Sequence, residues 1–166
     1  MRSIILFLVV IAATLCSSQA TAAETLKDKL KEAGWDGVIG TWVDEATGGK
    51  RYTSTYVWKI QDRVLEITTK SPDNETVALM GVNAKTGQVF HMGADKQGAS
   101  SIGEWKIDAD GSAVLHLLFT GGDGAEGVLQ MRHMLVGKDK MEVTVQLARP
   151  LRYTLVRKKA SVGSKN

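Results

Sequence analysis

The sequence has one cysteine in 166 residues, Cys16. That is too few for a disulfide-stapled scaffold. Net charge is equally scarce, since 21 Lys and Arg against 18 Asp and Glu leave +3, a field too weak to indicate a nucleic-acid surface. The chain is too short for a TIM barrel, and its 43% hydrophobic content is too high for a disordered tail. What is left is an ordinary one-domain globular protein.

The apolar run Ile4 to Ile11 is too short to span a bilayer comfortably, so no stable membrane span is expected. It follows Arg2 and precedes Ala20-Thr21-Ala22. A positive start, a short apolar stretch and an A-x-A site are what export and cleavage require, so residues 1–22 read as a signal peptide. Cleavage is expected after Ala22 or Ala23, with export to the periplasm or the outside. The rival reading, a lipid anchor on Cys16, meets Leu15 where such sites need a small residue. Cleavage leaves a chain without cysteine, which excludes a thiolate nucleophile or a zinc–thiolate site.

Residues 23–36 carry one helical pattern, with Leu26, Leu30 and Ala33 at spacings of four and three and Gly34 as the stop. Beyond Gly37 the period switches to two. The predicted strands are Val38 to Asp44, Tyr52 to Gln61, Val64 to Lys70, Thr76 to Val82, Val89 to Gly93, Gly103 to Asp108, Ala113 to Phe119, Gly127 to Val136, Met141 to Ala148 and Leu151 to Arg157. Their connections are short and rich in turn residues, as in Ser71-Pro72-Asp73-Asn74, Ala84-Lys85-Thr86-Gly87 and Asp110-Gly111. Such connections cannot cross over, so the strands should form an antiparallel meander. About ten strands with two edges to hide predict an all-β fold closed into a barrel over residues 37–158, with one short helix before it. Residues 159–166 are polar, basic and without periodicity, and are expected to be a disordered tail.

Alternation assigns the interior. Tyr52, Ser54, Tyr56, Trp58 and Ile60 share one face, which should point inward, and so should Met141, Val143, Val145 and Leu147, and Leu151, Tyr153 and Leu155. An interior that is apolar with a few hydroxyls suits either a packed core or a cavity for an apolar ligand.

Gly40-Thr41-Trp42, just after the helix, resembles the G-x-W that closes one barrel end in lipocalin-like proteins. Together with Trp58, Gly81 to Val89, Gly103-Glu104-Trp105 and Tyr153 to Lys158, it makes nearly all of the exported chain similar to a family of secreted bacterial lipocalin-like domains of unknown function. The resemblance implies a lipocalin-like, calycin-type barrel and carries over no activity or catalytic set. Asn83 departs from the family's turn, where Asp is expected.

The residues able to do chemistry are few. His91, His116 and His133 fall on three predicted strands, so a cluster inside the barrel is geometrically conceivable, yet nothing fixes ligand geometry and each reads more simply as a hydrogen-bonded barrel residue. Met80, Met92, Met131, Met134 and Met141 could line a soft pocket but fit plain core better. Asp108-Ala109-Asp110-Gly111 has Phe119 where a calcium loop needs its bidentate Glu, and Gly121-Gly122-Asp123-Gly124 lacks the Lys and helix of a phosphate loop. No nucleophile with a base and no carboxylate pair stands out, so no catalytic residue, metal or cofactor is assigned. The leading reading is a binding protein with Trp42, Tyr56, Trp58 and Trp105 lining a site for a small hydrophobic molecule. The alternative is a filled barrel acting through its surface as an envelope-associated interaction module.

Overall fold

A computed structural model describes residues 24–159. The expected signal peptide and all but Lys159 of the expected tail lie outside the described residues. Thr25 starts the helix α1 (Leu26–Glu32) with a reciprocal cap: its hydroxyl accepts from the Asp28 amide at 3.1 Å, and the Asp28 carboxylate accepts from the Thr25 amide at 3.1 Å. Gly34 follows the helix at φ +72°, a conformation that costs glycine little. Leu26 and Leu30 are its buried face, and one 3-10 turn, Asp36–Val38, leads into the sheet.

The strands are β1 (Gly40–Asp44), β2 (Thr53–Ile60), β3 (Val64–Lys70), β4 (Glu75–Val82), β5 (Val89–Asp95), β6 (Ser100–Ile107), β7 (Ala113–Thr120), β8 (Glu126–Leu135), β9 (Lys140–Gln146) and β10 (Leu151–Arg157). Each pairs antiparallel with its neighbour in sequence, and β1 closes on β10 through Trp42↔Arg157, Val43↔Val156 and Asp44↔Leu155. The fold is therefore an all-β, ten-stranded antiparallel meander closed as a barrel, with a single short α-helix. Closure leaves neither edge unpaired.

The barrel has two unlike ends. At the closed end, α1 and the 3-10 turn lie against the even-to-odd strand turns: the Lys27 amide donates to the Asp62 carbonyl at 3.2 Å and the Trp35 indole to the Gly111 carbonyl at 2.9 Å. Trp42 is fully buried there, its Nε1 donating to the Val38 carbonyl at 2.8 Å, with the Arg157 guanidinium 4.4 Å from the ring centre. Arg157 also donates to the carbonyls of Gly37, Ile39 and Lys138, so one side chain joins the 3-10 turn, the residue leading into β1 and the β8–β9 turn. Gly40 is required beside it: φ is +123°, and a Cβ would stand 2.9 Å from the guanidinium. The opposite end, the mouth, carries the β1–β2, β3–β4, β5–β6, β7–β8 and β9–β10 connections.

Three inward assignments need correcting. Ile60 is 58% exposed, because the β2–β3 register shifts between Trp58 and Ile60 and reverses the alternation. Leu147 lies beyond the end of β9 and Leu151 starts β10, so both stand exposed at the mouth. At the β4–β5 turn, the Asn83 side-chain oxygen accepts from the Lys85 and Thr86 amides, the capping work an Asp would do.

Candidate ligand-binding cavity

Strand alternation and register together put two cavities in the barrel. The larger, about 270 Å³, fills the mouth half. Its walls are apolar where Ile67, Ala78, Leu115, Leu117 and Met131 project, and hydroxylic at Ser54, Thr69, Thr76 and Ser101. A smaller cavity of about 80 Å³ lies under α1, and Tyr56, Trp105 and His133 belong to both. These three rings form the partition between them. Tyr52 and Met131 also line an opening at the mouth with Arg51, Leu151 and Tyr153, and the Tyr52 and Tyr153 rings pack there with centres 5.4 Å apart.

The polar side chains on this side of the larger cavity are unusual. His91 on β5 and His133 on β8 flank Trp105 on β6, with ring centres 6.1 Å and 5.1 Å from the indole. The imidazoles are only 7% and 6% exposed, and burial pushes both pKa values down to about 4, so both are neutral at neutral pH. His91 Nδ1, His133 Nδ1 and Trp105 Nε1 are buried with no hydrogen-bond partner. Leaving one such atom unmatched costs roughly 1–3 kcal/mol, enough to make three neighbouring cases a feature that calls for a partner. Burial likewise raises the Tyr56 and Tyr153 hydroxyl pKa values, keeping both protonated. No Asp, Glu, Lys or Arg lines the larger cavity.

Arg51, the charged residue that lines the opening, is locked to Asp44. Asp44 is buried, and its carboxylate accepts from the Thr47 hydroxyl at 2.6 Å and from Arg51 at 3.1 Å. The Thr47 hydrogen bond is the main reason its pKa is lowered, with Arg51 adding to it.

Of the four aromatic residues picked from the sequence, Tyr56 and Trp105 line the larger cavity. Trp42 plugs the closed end and Trp58 packs against the core cluster, so these two are placed apart from it. The three imidazoles do not meet: His116 is on the outer face of β7, exposed, paired between Glu104 and Gln130. Among the described residues no group of three His, Asp or Glu side chains could hold a metal ion. Met80 and Met141 are buried core, Met131 faces the cavity, and Met92 is outside.

Sequence reasoning passed over Trp35, Thr69, Thr76 and Ser101. The signal for the last three was present in the alternations Leu65, Ile67, Thr69, then Thr76, Ala78, Met80, then Ser101, Gly103, Trp105, once each strand is registered against the next.

No protein-family model matches the chain, and no curated protein matches it. Among the described residues no helix is long and apolar enough to cross a membrane.

Proposed function

We propose that the chain is an exported, lipocalin-like binding protein that holds one small molecule with an apolar body in the mouth half of the barrel. The observation that carries this reading is the cavity of about 270 Å³, reached from the mouth and lined by His91, Trp105 and His133, each of which has a buried polar atom without a partner. A barrel interior evolved only for packing would fill such space with side chains. Export follows from the leader pattern at residues 1–22, and the G-x-W at Gly40 to Trp42 supports the lipocalin-like assignment. Tyr56 and Trp105 remain in the proposed lining, while Trp42 and Trp58 are reassigned to the closed end.

An uncharged fluorescent probe, N-phenyl-1-naphthylamine, tests the site. Its emission is expected to rise on mixing with the protein, and Ser101→Phe, which pushes a ring into the cavity, is expected to weaken binding at least about tenfold while the circular dichroism spectrum stays unchanged. Equal binding by the variant would place the probe elsewhere.

A second reading, a barrel acting through its outer surface, draws on one observation. Leu79, Met92, Ile102, Leu118 and Val128 lie side by side in register across β4 to β8 and are 38–76% exposed. A row of this kind exceeds the scattered exposure normal for a monomer. Under that reading Ile102→Lys with Leu118→Lys would change sedimentation behaviour and leave probe binding intact.

A further inference from the structure

The lining of the larger cavity restricts what can bind, because the three unmatched atoms of His91, Trp105 and His133 do not have the same capabilities. Trp105 Nε1 is a donor and never an acceptor, so its missing partner has to be an acceptor. A neutral imidazole can present either a hydrogen or a lone pair at Nδ1, so His91 and His133 adapt to whatever the indole selects.

Charge narrows the choice further. A carboxylate or ammonium head in the cavity would lose its water and find no opposite charge, since the lining has no Asp, Glu, Lys or Arg. The cation that lines the opening at the mouth, Arg51, is already engaged by the buried Asp44 carboxylate. Size narrows it again. About 270 Å³ is at or below the lower end of small-molecule sites, too little for a long-chain lipid.

We propose that the cavity selects a compact, uncharged molecule with an apolar body and a carbonyl oxygen, which accepts a hydrogen bond from Trp105 Nε1 between the imidazoles of His91 and His133. A carbonyl fits better than an ether or a lone hydroxyl, because its two lone pairs can take the indole and one imidazole N–H together. This rests on the reading of the barrel as a binding protein and specifies the head group that the site recognises.

Three probes sharing one body separate the cases: 2-acetylnaphthalene, 2-ethylnaphthalene and 2-naphthoate, titrated by calorimetry into the full exported chain at neutral pH. The ketone is expected to bind at least about tenfold more tightly than either of the others, the factor that one well-made buried hydrogen bond supplies. In the proton–nitrogen correlation spectrum the Trp105 indole resonance, assigned by its disappearance in Trp105→Phe, should shift downfield with the ketone and not with the hydrocarbon. Trp105→Phe should abolish the preference, bringing the ketone and hydrocarbon affinities to within about twofold of each other. Should Trp105→Phe fail to fold, single-site nitrogen labelling of the unaltered chain identifies the resonance and the shift decides. Equal affinity for ketone and hydrocarbon, or tightest binding of the naphthoate, overturns the carbonyl assignment and leaves the binding reading standing. Binding of none of the three overturns both.

Discussion

Lowering the pH from about 7 to about 4 is expected to remove about 3 kcal/mol of folding stability for each of His91 and His133, a combined effect of up to about 6 kcal/mol. Both imidazoles have an ordinary pKa of 6.5 when exposed and about 4 when buried in the folded barrel. Between those values the unfolded chain binds the additional protons, so stability is complete above the unfolded pKa and is lost as the pH falls through the folded one. A loss of that size is comparable with the whole stability of many domains, so the barrel should unfold near the bottom of this window. The hydrogen-bonded carboxylates of Asp44, Asp95 and Asp110 are all shifted below 3.8, and their contribution disappears at lower pH than that of the imidazoles. Urea unfolding at a series of pH values checks this. The double variant His91→Leu with His133→Leu should show a nearly flat profile down to about pH 4.5, and an unchanged slope in that variant would assign the acid sensitivity to other groups.

Trp42→Ala is expected to cost about 3–5 kcal/mol, as removal of a fully buried indole from a closed core does. The variant also deprives the Val38 carbonyl of its donor and removes the face over which Arg157 lies. Arg157 should be nearly as sensitive in its own right. It donates to three backbone carbonyls, Gly37 in the 3-10 turn, Ile39 just before β1 and Lys138 in the β8–β9 turn, so Arg157→Ala should cost about 2–3 kcal/mol. Arg157→Lys should recover little of that, because an ammonium cannot reproduce the guanidinium fork. Thermal unfolding of the single variants and the double variant checks the pair. Coupling is expected, so the double variant should lose less than the sum of the two single losses, whereas strict additivity would contradict a shared role in closing the barrel.

The strand pattern was legible because alternation is local. β3 and β10 begin and end where periodicity places them, and the inward parity of Ser54, Tyr56 and Trp105 follows from counting by twos. Counting fails at a bulge, which is why Ile60 was assigned to the wrong face. Parity also says nothing about depth along the barrel axis. Trp42 and Trp105 both point inward, yet one plugs the closed end and the other borders the cavity, a difference set by strand stagger and by where α1 lands. His116 could not be oriented from Val114 to Phe119, a run that is apolar on both faces. Its direction came from the β6–β7–β8 register, with Glu104 and Gln130 beside it on the outside. The convergence of His91 and His133 on Trp105, one strand away on one side and two on the other, is likewise a product of pairing around a closed sheet, which no single-strand pattern contains.

The central claim, that the mouth half of the barrel holds a small molecule, is tested most directly by native mass spectrometry. The protein would be purified without detergent and its native mass compared with that of the same polypeptide after denaturation. The account predicts an excess of no more than a few hundred daltons, on the order of what a site this small encloses, lost on denaturation and absent from Ser101→Phe. A bare mass, together with no uptake of the uncharged probe by the same preparation, would contradict it.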